Sequence, residues 1–260
     1  MKKWMSLILA AMMVFSLTAA FAEAADSDLA YVLEKGALVV GITDFAPMDY
    51  MQDGEWIGFD ADLAKAFAEY IGVKAEFVEI DWDNKLLELD NKSIDCIWNG
   101  MTLKPEITAA TTCSNAYANN AQVIVVPADK ADEYQTAEDA MNLQFAVEAG
   151  SAGQDQAEAY GFSYTPVNTQ ADALMEVKAG ASDAAIIDAL MADAMIGEGT
   201  SYADLTYTAA LNSEEYGVAF RQGSDLAELL NLFFAGAWQD GSMIELAATY
   251  GVSAAIIPQE

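Results

Sequence analysis

Residues 36–72 read GALVVGITDFAPMDYMQDGEWIGFDADLAKAFAEYIG, and this stretch decides the fold. Ala37-Leu38-Val39-Val40-Gly41-Ile42 is a short continuous apolar run, the mark of a strand buried on both faces of a parallel sheet. A helix is expected next. Asp60 stands where an N-cap belongs, Leu63, Phe67, Tyr70 and Ile71 recur at helical spacing, and Gly72 can close the helix in a left-handed conformation. Working outward, a strand is expected over 74–80, a helical segment over 84–90, and a strand at Ile94-Asp95-Cys96-Ile97-Trp98. Further on, Phe145-Ala146-Val147 and Ala184-Ala185-Ile186-Ile187 repeat the pattern, with helices over 154–160 and 171–179. Such an alternating series predicts α/β architecture with parallel sheets and right-handed crossovers.

Composition excludes several function classes. Lys plus Arg total 11 against 41 Asp plus Glu, so a nucleic-acid partner, which needs basic residues to neutralise phosphates, is not expected. An anionic membrane surface is disfavoured for the same reason. Most of the acidity reads as a solvated surface, with attraction of cationic solutes as a second reading. Histidine is absent, which removes histidine-based triads, histidine general bases and nearly all catalytic zinc sites. No metal site and no cofactor are expected. Cys96 and Cys113 are the only cysteines, and sequence leaves a disulfide and two buried thiols as equal alternatives.

Residues 1–24 combine two lysines, an apolar run over 7–17 and small residues spaced for cleavage, the pattern of a secretory signal peptide. The apolar run falls short of the roughly 20 residues of a membrane span. An exported protein, periplasmic or extracellular, is expected, with about 236 residues after processing, enough for one large domain or two lobes.

In open α/β sheets, ligands bind beyond the carboxyl ends of the strands. The first strand here leads to Thr43-Asp44-Phe45, the second to Asp81-Trp82, the third to Asn99-Gly100-Met101-Thr102. Later, one strand leads to Gly150-Ser151-Ala152-Gly153 at an expected helix N-terminus, where free N–H groups favour an anion, and another ends in Asp188. Two aromatics, small hydrogen-bonding groups, a helix end and one carboxylate describe a polar small-molecule site with aromatic walls.

The stretch 36–72, the block IDCIWNGMTLKPE, and the blocks FAVEAGSAGQ, SDAAIIDA and EEYGVAFRQGSDLAELLNLFFAGAWQDGSMIELAATYG together resemble the polar amino-acid solute-binding proteins of ABC importers, family 3 of the bacterial extracellular solute-binding proteins. The likeness runs over nearly the whole chain after residue 24. It implies a two-lobe periplasmic-binding-protein (type II) fold: two α/β lobes, each a mostly parallel sheet flanked by helices, joined by two crossover segments near 121–126 and 215–220. Lobe one would combine 28–125 with 216–260, and lobe two would be 126–215. The resemblance further implies a monomer that closes on its ligand and delivers it to the membrane subunits of an importer.

By the same resemblance, Phe45 covers the ligand side chain and Trp82 is a second aromatic wall, although either could be an ordinary core aromatic. Asn99, Gly100 and Thr102 match positions that bind the ligand's amino and carboxylate groups. Ser151 and Ala152 match the helix-end residues that meet the carboxylate. Asp188 matches the aspartate that pairs with the α-ammonium group; its alternative role is a helix N-cap before Ala189 and Leu190. Asp44 and Trp98 are weaker candidates, Trp98 reading as buried wall.

One position departs from the family. Ile107 stands where the resemblance calls for the arginine that grips the carboxylate in a bidentate pair. Residues 105–128 contain no lysine or arginine, and the only arginine, Arg221, lies in a block that matches a surface strand. Lys104 is the cation nearest in sequence, and a point charge does not reproduce a guanidinium fork. The anion half of the site is therefore weakened or rebuilt around 151–153, Asn99 and Thr102, or else the ligand is an amine or amide. Burying Asp188 without a positive partner would cost several kcal/mol, so the ligand is expected to carry an ammonium group. Two other classes share the fold. A periplasmic enzyme resembling cyclohexadienyl dehydratase would need a carboxyl acid or base such as Asp44, Asp81 or Asp188. A ligand-sensing module is the third.

Overall fold

The apolar run at 37–42 forms β1 (Ala37–Ile42) in the computed structural model, which describes residues 27–259. The expected signal segment, 1–24, lies outside the described residues. Helix α1 (Asp28–Lys35) precedes β1; α2 (Phe59–Ile71), β2 (Lys74–Glu79), α3 (Lys85–Asp90), β3 (Cys96–Thr102), α4 (Pro105–Ala110), β4 (Thr112–Cys113) and β5 (Ala118–Asn120) follow. The chain continues through β6 (Gln122–Pro127), β7 (Gln144–Glu148), α5 (Ala152–Tyr160), β8 (Ser163–Val167), α6 (Gln170–Ala179), β9 (Ala184–Asp188), α7 (Ala189–Met195) and β10 (Leu205–Ala210). It ends with β11 (Glu214–Phe220), α8 (Leu226–Asp240) and α9 (Ser242–Thr249).

These strands make two sheets. The first has the order β2-β1-β3-β11-β4, with β5 also paired to β11; the second has the order β8-β7-β9-β6-β10. Each begins with a parallel triplet, β2-β1-β3 and β8-β7-β9, the product of the strand–helix alternation. Antiparallel strands complete both: β11 against β3, and β6 against β9 and β10. The sheets are therefore mixed: β6 brings the chain into the second sheet and β11 returns it to the first, each antiparallel to its neighbours.

The chain passes from the first sheet to the second between Asn120 and Gln122, and returns between Ala210 and Glu214. The lobe limits expected at 125/126 and 215/216 fall a few residues beyond these points. Four polar residues at or within the crossings, Asn120, Gln122, Asn212 and Glu214, meet one another at the base of the site described below.

Helix α2 follows β1 as expected and ends at Gly72 with φ 90°, a left-handed value that glycine adopts without strain. Its start differs from the expectation. Gly58 is the N-cap, and Asp60 lies inside the helix with 0% exposure. The Asp60 side chain turns inward instead, accepting from the Gly100 N–H at 2.7 Å and from the Tyr117 hydroxyl at 2.7 Å. Burial pushes its carboxyl up to about 6 against these hydrogen bonds. Asp60 thus anchors the β3 backbone at the position where the site begins.

The two cysteines do not pair. Cys96 on β3 lies opposite Phe220 of β11, and Cys113 on β4 lies opposite Ala219 of the same strand, so β11 runs between them. Two strand spacings separate them by roughly 9–10 Å, beyond the roughly 7 Å that a disulfide spans between α-carbons.

Candidate functional site

The carboxyl ends of β1, β2, β3, β7 and β9 face one cavity between the two sheets. Phe45, Trp82, Asn99, Gly100, Thr102, Ser151, Ala152 and Asp188 all line it. Eight residues scattered over 144 positions of sequence are gathered there by the strand-end rule for open α/β sheets. Asp44 is exposed and Trp98, fully buried against Phe67 and Phe234, packs in the lobe-one core; neither lines the cavity.

The aromatic wall depends on a glycine. Gly100 has φ 53°, and a β-carbon there would collide with the edge of the Phe45 ring, which also packs edge-on to Tyr216 with centroids 6.4 Å apart. Only a residue without a side chain lets the β3 backbone approach Phe45 this closely. Trp82 closes another side and already has a cation on its face: Lys85 Nζ lies 4.9 Å from the ring centroid.

Asn99 lines the cavity with its side chain already committed. Its Oδ1 accepts from the Thr43 N–H (3.0 Å) and hydroxyl (2.8 Å), and its amide donates to the Thr43 carbonyl (3.0 Å) and Asp49 Oδ2 (2.7 Å). That spends all of its hydrogen-bonding groups on bracing the loop after β1, so the expectation that its side chain replaces an arginine is not met. Thr102 donates to Glu214 Oε1 at 3.1 Å. Ser151 caps α5 by accepting from the Gln154 N–H at 3.1 Å, and Ser151 and Ala152 at that helix start line the cavity.

Asp188 is 4% exposed and does not cap α7 with its side chain. Its Oδ1 accepts from the Tyr216 hydroxyl at 2.6 Å, from Gln122 Nε2 at 2.9 Å and from Asn120 Nδ2. Its Oδ2 accepts from Gln170 Nε2, whose Oε1 accepts the Asp188 N–H in return at 2.8 Å. Asn120 and Gln122 also donate to Glu214 Oε1, at 2.7 and 2.8 Å, so two crossing-segment amides tie Asp188 to a second buried carboxyl group. Burial and the charge of Glu214 raise the Asp188 carboxyl to about 8, against the pull of Tyr216 and Gln170.

Three charged lining residues were not read from the sequence as site residues, or were read differently. Glu148, the last residue of β7, is 3% exposed, and burial followed by the charge of Asp188 raises it to about 8. Lys85 reaches the cavity from α3 and donates to the carbonyls of Trp82 (3.0 Å) and Gly150 (2.9 Å), the latter across the lobes. Burial and the charge of Lys104 lower it to about 8. Lys104 pairs with Asp155 Oδ2 at 2.5 Å and Glu106 Oε1 at 3.1 Å, so its charge is met by protein carboxylates. One sequence signal could have found Glu148: a carboxylate ending a buried apolar strand, directly before the Gly150-Ser151 turn.

Ile107 is 2% exposed and packs with Trp82, Leu89, Ile97 and Met101, so the arginine position is an apolar wall of the cavity. Arg221 is not on the surface, as its block suggested, but 8% exposed. Its Nε donates to Asp28 at 2.9 Å and its Nη2 to Asp95 at 3.2 Å, outside the cavity lining.

Two α/β lobes, two crossings and a polar cavity between them define a two-lobe solute-binding protein. A family model for bacterial extracellular solute-binding proteins, family 3, matches residues 38–253, and the chain belongs to that family. The arginine-binding extracellular protein ArtP of Bacillus subtilis is 30% identical over 238 residues, 89% of this chain and 91% of its own. Among solved structures, the P235GK mutant of ArgBP from T. maritima superposes with a TM-score of 0.80 at 31% identity, covering 86% of this chain and 98% of that one. The ancestral amino acid-binding protein AncCDT-1, a precursor of cyclohexadienyl dehydratase, gives a TM-score of 0.79 at 29% identity, covering 86% and 99%.

Proposed function

We propose that this chain is exported, binds an ammonium-bearing polar solute, an amino acid or a related amine, by closing its lobes on it, and hands it to the membrane subunits of an ABC importer. The observation that carries the ligand class is the burial of Asp188 in the cavity beside Glu148 and Glu214. Among the described residues Lys85 is the buried lysine of this cavity and no carboxylate engages it, so a cationic guest finds the raised carboxyls unpaired and favours their ionisation. Phe45 and the apolar side of Ile107 flank the carbon skeleton, while Asp188 Oδ2 and the α5 N-terminus receive the polar ends. Contacts from both lobes shift the population toward the closed state, which is the signal a transporter reads.

Thermal shift and calorimetry with a panel of amino acids, dipeptides and polyamines test the reading. Ammonium-bearing solutes are expected to stabilise the protein, and Asp188→Asn is expected to weaken them by about 30-fold or more. Stabilisation only by anionic or neutral solutes, or unchanged affinity in Asp188→Asn, would sink it. The relationship to a dehydratase precursor keeps an enzymatic reading in view, since Glu148 and Asp188 have the raised values of general acids. Recovery of the bound solute chemically unchanged after long incubation separates binding from catalysis.

A further inference from the structure

Asp188 and Glu148 differ in what they have left to give a solute. Asp188 Oδ1 accepts from three donors, Asn120, Gln122 and Tyr216, and Oδ2 accepts from Gln170. An ionised carboxylate has about four acceptor positions, so what Asp188 retains is on the Oδ2 side and is enough for one N–H. Glu148 is 3% exposed, lines the same cavity, and has its Oε1 buried with no hydrogen-bond partner.

Both groups line the cavity from neighbouring strands. Strands β7 and β9 are parallel neighbours with Val147 opposite Ile186, so Glu148 and Asp188 stand at adjacent carboxyl ends one residue out of register, their side chains starting from opposite faces of the sheet and both reaching the cavity beyond it. Lys85 is near enough to influence Glu148, yet its ammonium is held by the carbonyls of Trp82 and Gly150, and no ion pair joins it to Glu148 among the described residues. Glu214, by contrast, accepts from Thr102, Asn120, Gln122 and Asn212 and needs nothing more. Among the described residues three buried carboxyl oxygens lack a partner, Asp49 Oδ1, Asp60 Oδ1 and Glu148 Oε1, and of the three residues Glu148 is the one that lines the cavity, where a solute can supply the missing donor.

We propose that Glu148 is a second cation-binding carboxylate of the cavity, and that the solute carries a positively charged group in addition to the ammonium that meets Asp188. The inference rests on the ammonium reading given above and narrows it to solutes with two cationic centres, the basic amino acids and diamines. A single ammonium satisfies what is left of Asp188 and leaves Glu148 Oε1 without a donor. A second cationic group reaching Oε1 supplies that donor and favours the ionised carboxylate.

The test compares cationic probes with neutral partners of nearly equal shape: L-arginine with L-citrulline, L-lysine with L-norleucine, and putrescine with n-butylamine. In calorimetry on the full-length protein, at least one cationic member is expected to bind about tenfold or more tightly than its partner, and Glu148→Gln is expected to bring that pair within about threefold. The Gln variant keeps the size of the side chain and removes its ability to ionise. If it fails to fold, the wild-type ratios decide alone. Equal binding of charged and neutral partners by the wild type, with both lost in Asp188→Asn, overturns the second cation and leaves the ammonium reading standing. A charge preference that survives in Glu148→Gln also overturns it, and binding of none of the six probes overturns both.

Discussion

Lys104 of the first lobe and Asp155 of the second form an ion pair, Nζ to Oδ2 at 2.5 Å, beside the cavity. The Asp155 side chain is 46% exposed, so solvent and salt screen the pair. It holds the lobes together without a solute and favours the closed arrangement weakly.

Asp155→Asn is accordingly expected to lower solute affinity by up to about fivefold at low salt, the equivalent of about 1 kcal/mol, and by nothing measurable at about 1 M salt. Titrations of both proteins at the two ionic strengths check this. An effect that persists at high salt would show that Asp155 does more than pair with Lys104.

Ligand-free stability should fall with rising pH. Glu148 and Asp188 are raised to about 8 by burial first and neighbouring carboxylates second, whereas unfolded carboxyls titrate near about 4. Between those values the unfolded chain has released protons that the folded one keeps, so the stability present at about pH 4 is lost as pH rises toward about 8. Lys85, lowered to about 8, acts in the opposite sense only above that value. Melting temperatures at constant ionic strength from about pH 5 to 8.5 are expected to decline, and a cationic solute to reverse the decline while releasing protons. A flat or rising curve contradicts the raised carboxyls.

Ile107→Arg should change which solutes are preferred. The substitution puts a guanidinium into the wall formed with Trp82 and Met101, at a cost of about 1–3 kcal/mol in stability. It also adds a fork for a carboxylate, so the ratio of L-arginine to agmatine affinity is expected to rise by about tenfold or more. An unchanged ratio would mean that position 107 does not face the bound solute.

The cysteines should titrate as two free thiols in denaturant, with Cys113 reacting first in the native protein because it is half-buried and Cys96 is 0% exposed. Reductant is expected to leave the melting temperature unchanged. Detection of a Cys96–Cys113 bridge would require β11 to leave its place between them.

The secondary structure of the sheet core was legible because buried parallel strands are continuous apolar runs: β1 spans 37–42 as read, and β7, β9, α5 and α6 lie within two residues of their expected limits. The Asp60 error has a physical cause. An acidic residue at a helix start is an N-cap by local chemistry, but the backbone amide of Gly100 and the hydroxyl of Tyr117, both far away in sequence, offered it better partners. Asn99 was read for its position, correctly placed at the cavity, whereas the use of its amide depends on Thr43 and Asp49 folding back over it.

The order of strands and helices was enough by itself to predict the α/β class, because alternation is a local property of the chain, whereas the eight candidate positions at the cavity came from the resemblance to a family laid over that order. The distribution of charge inside that cavity was decided only by tertiary structure. Lys85 from one lobe, Glu148 from the other and the crossing residues Asn120, Gln122 and Glu214 come together across long stretches of sequence. Which carboxylate is saturated and which keeps a free oxygen depends on donors that no local pattern pairs with it.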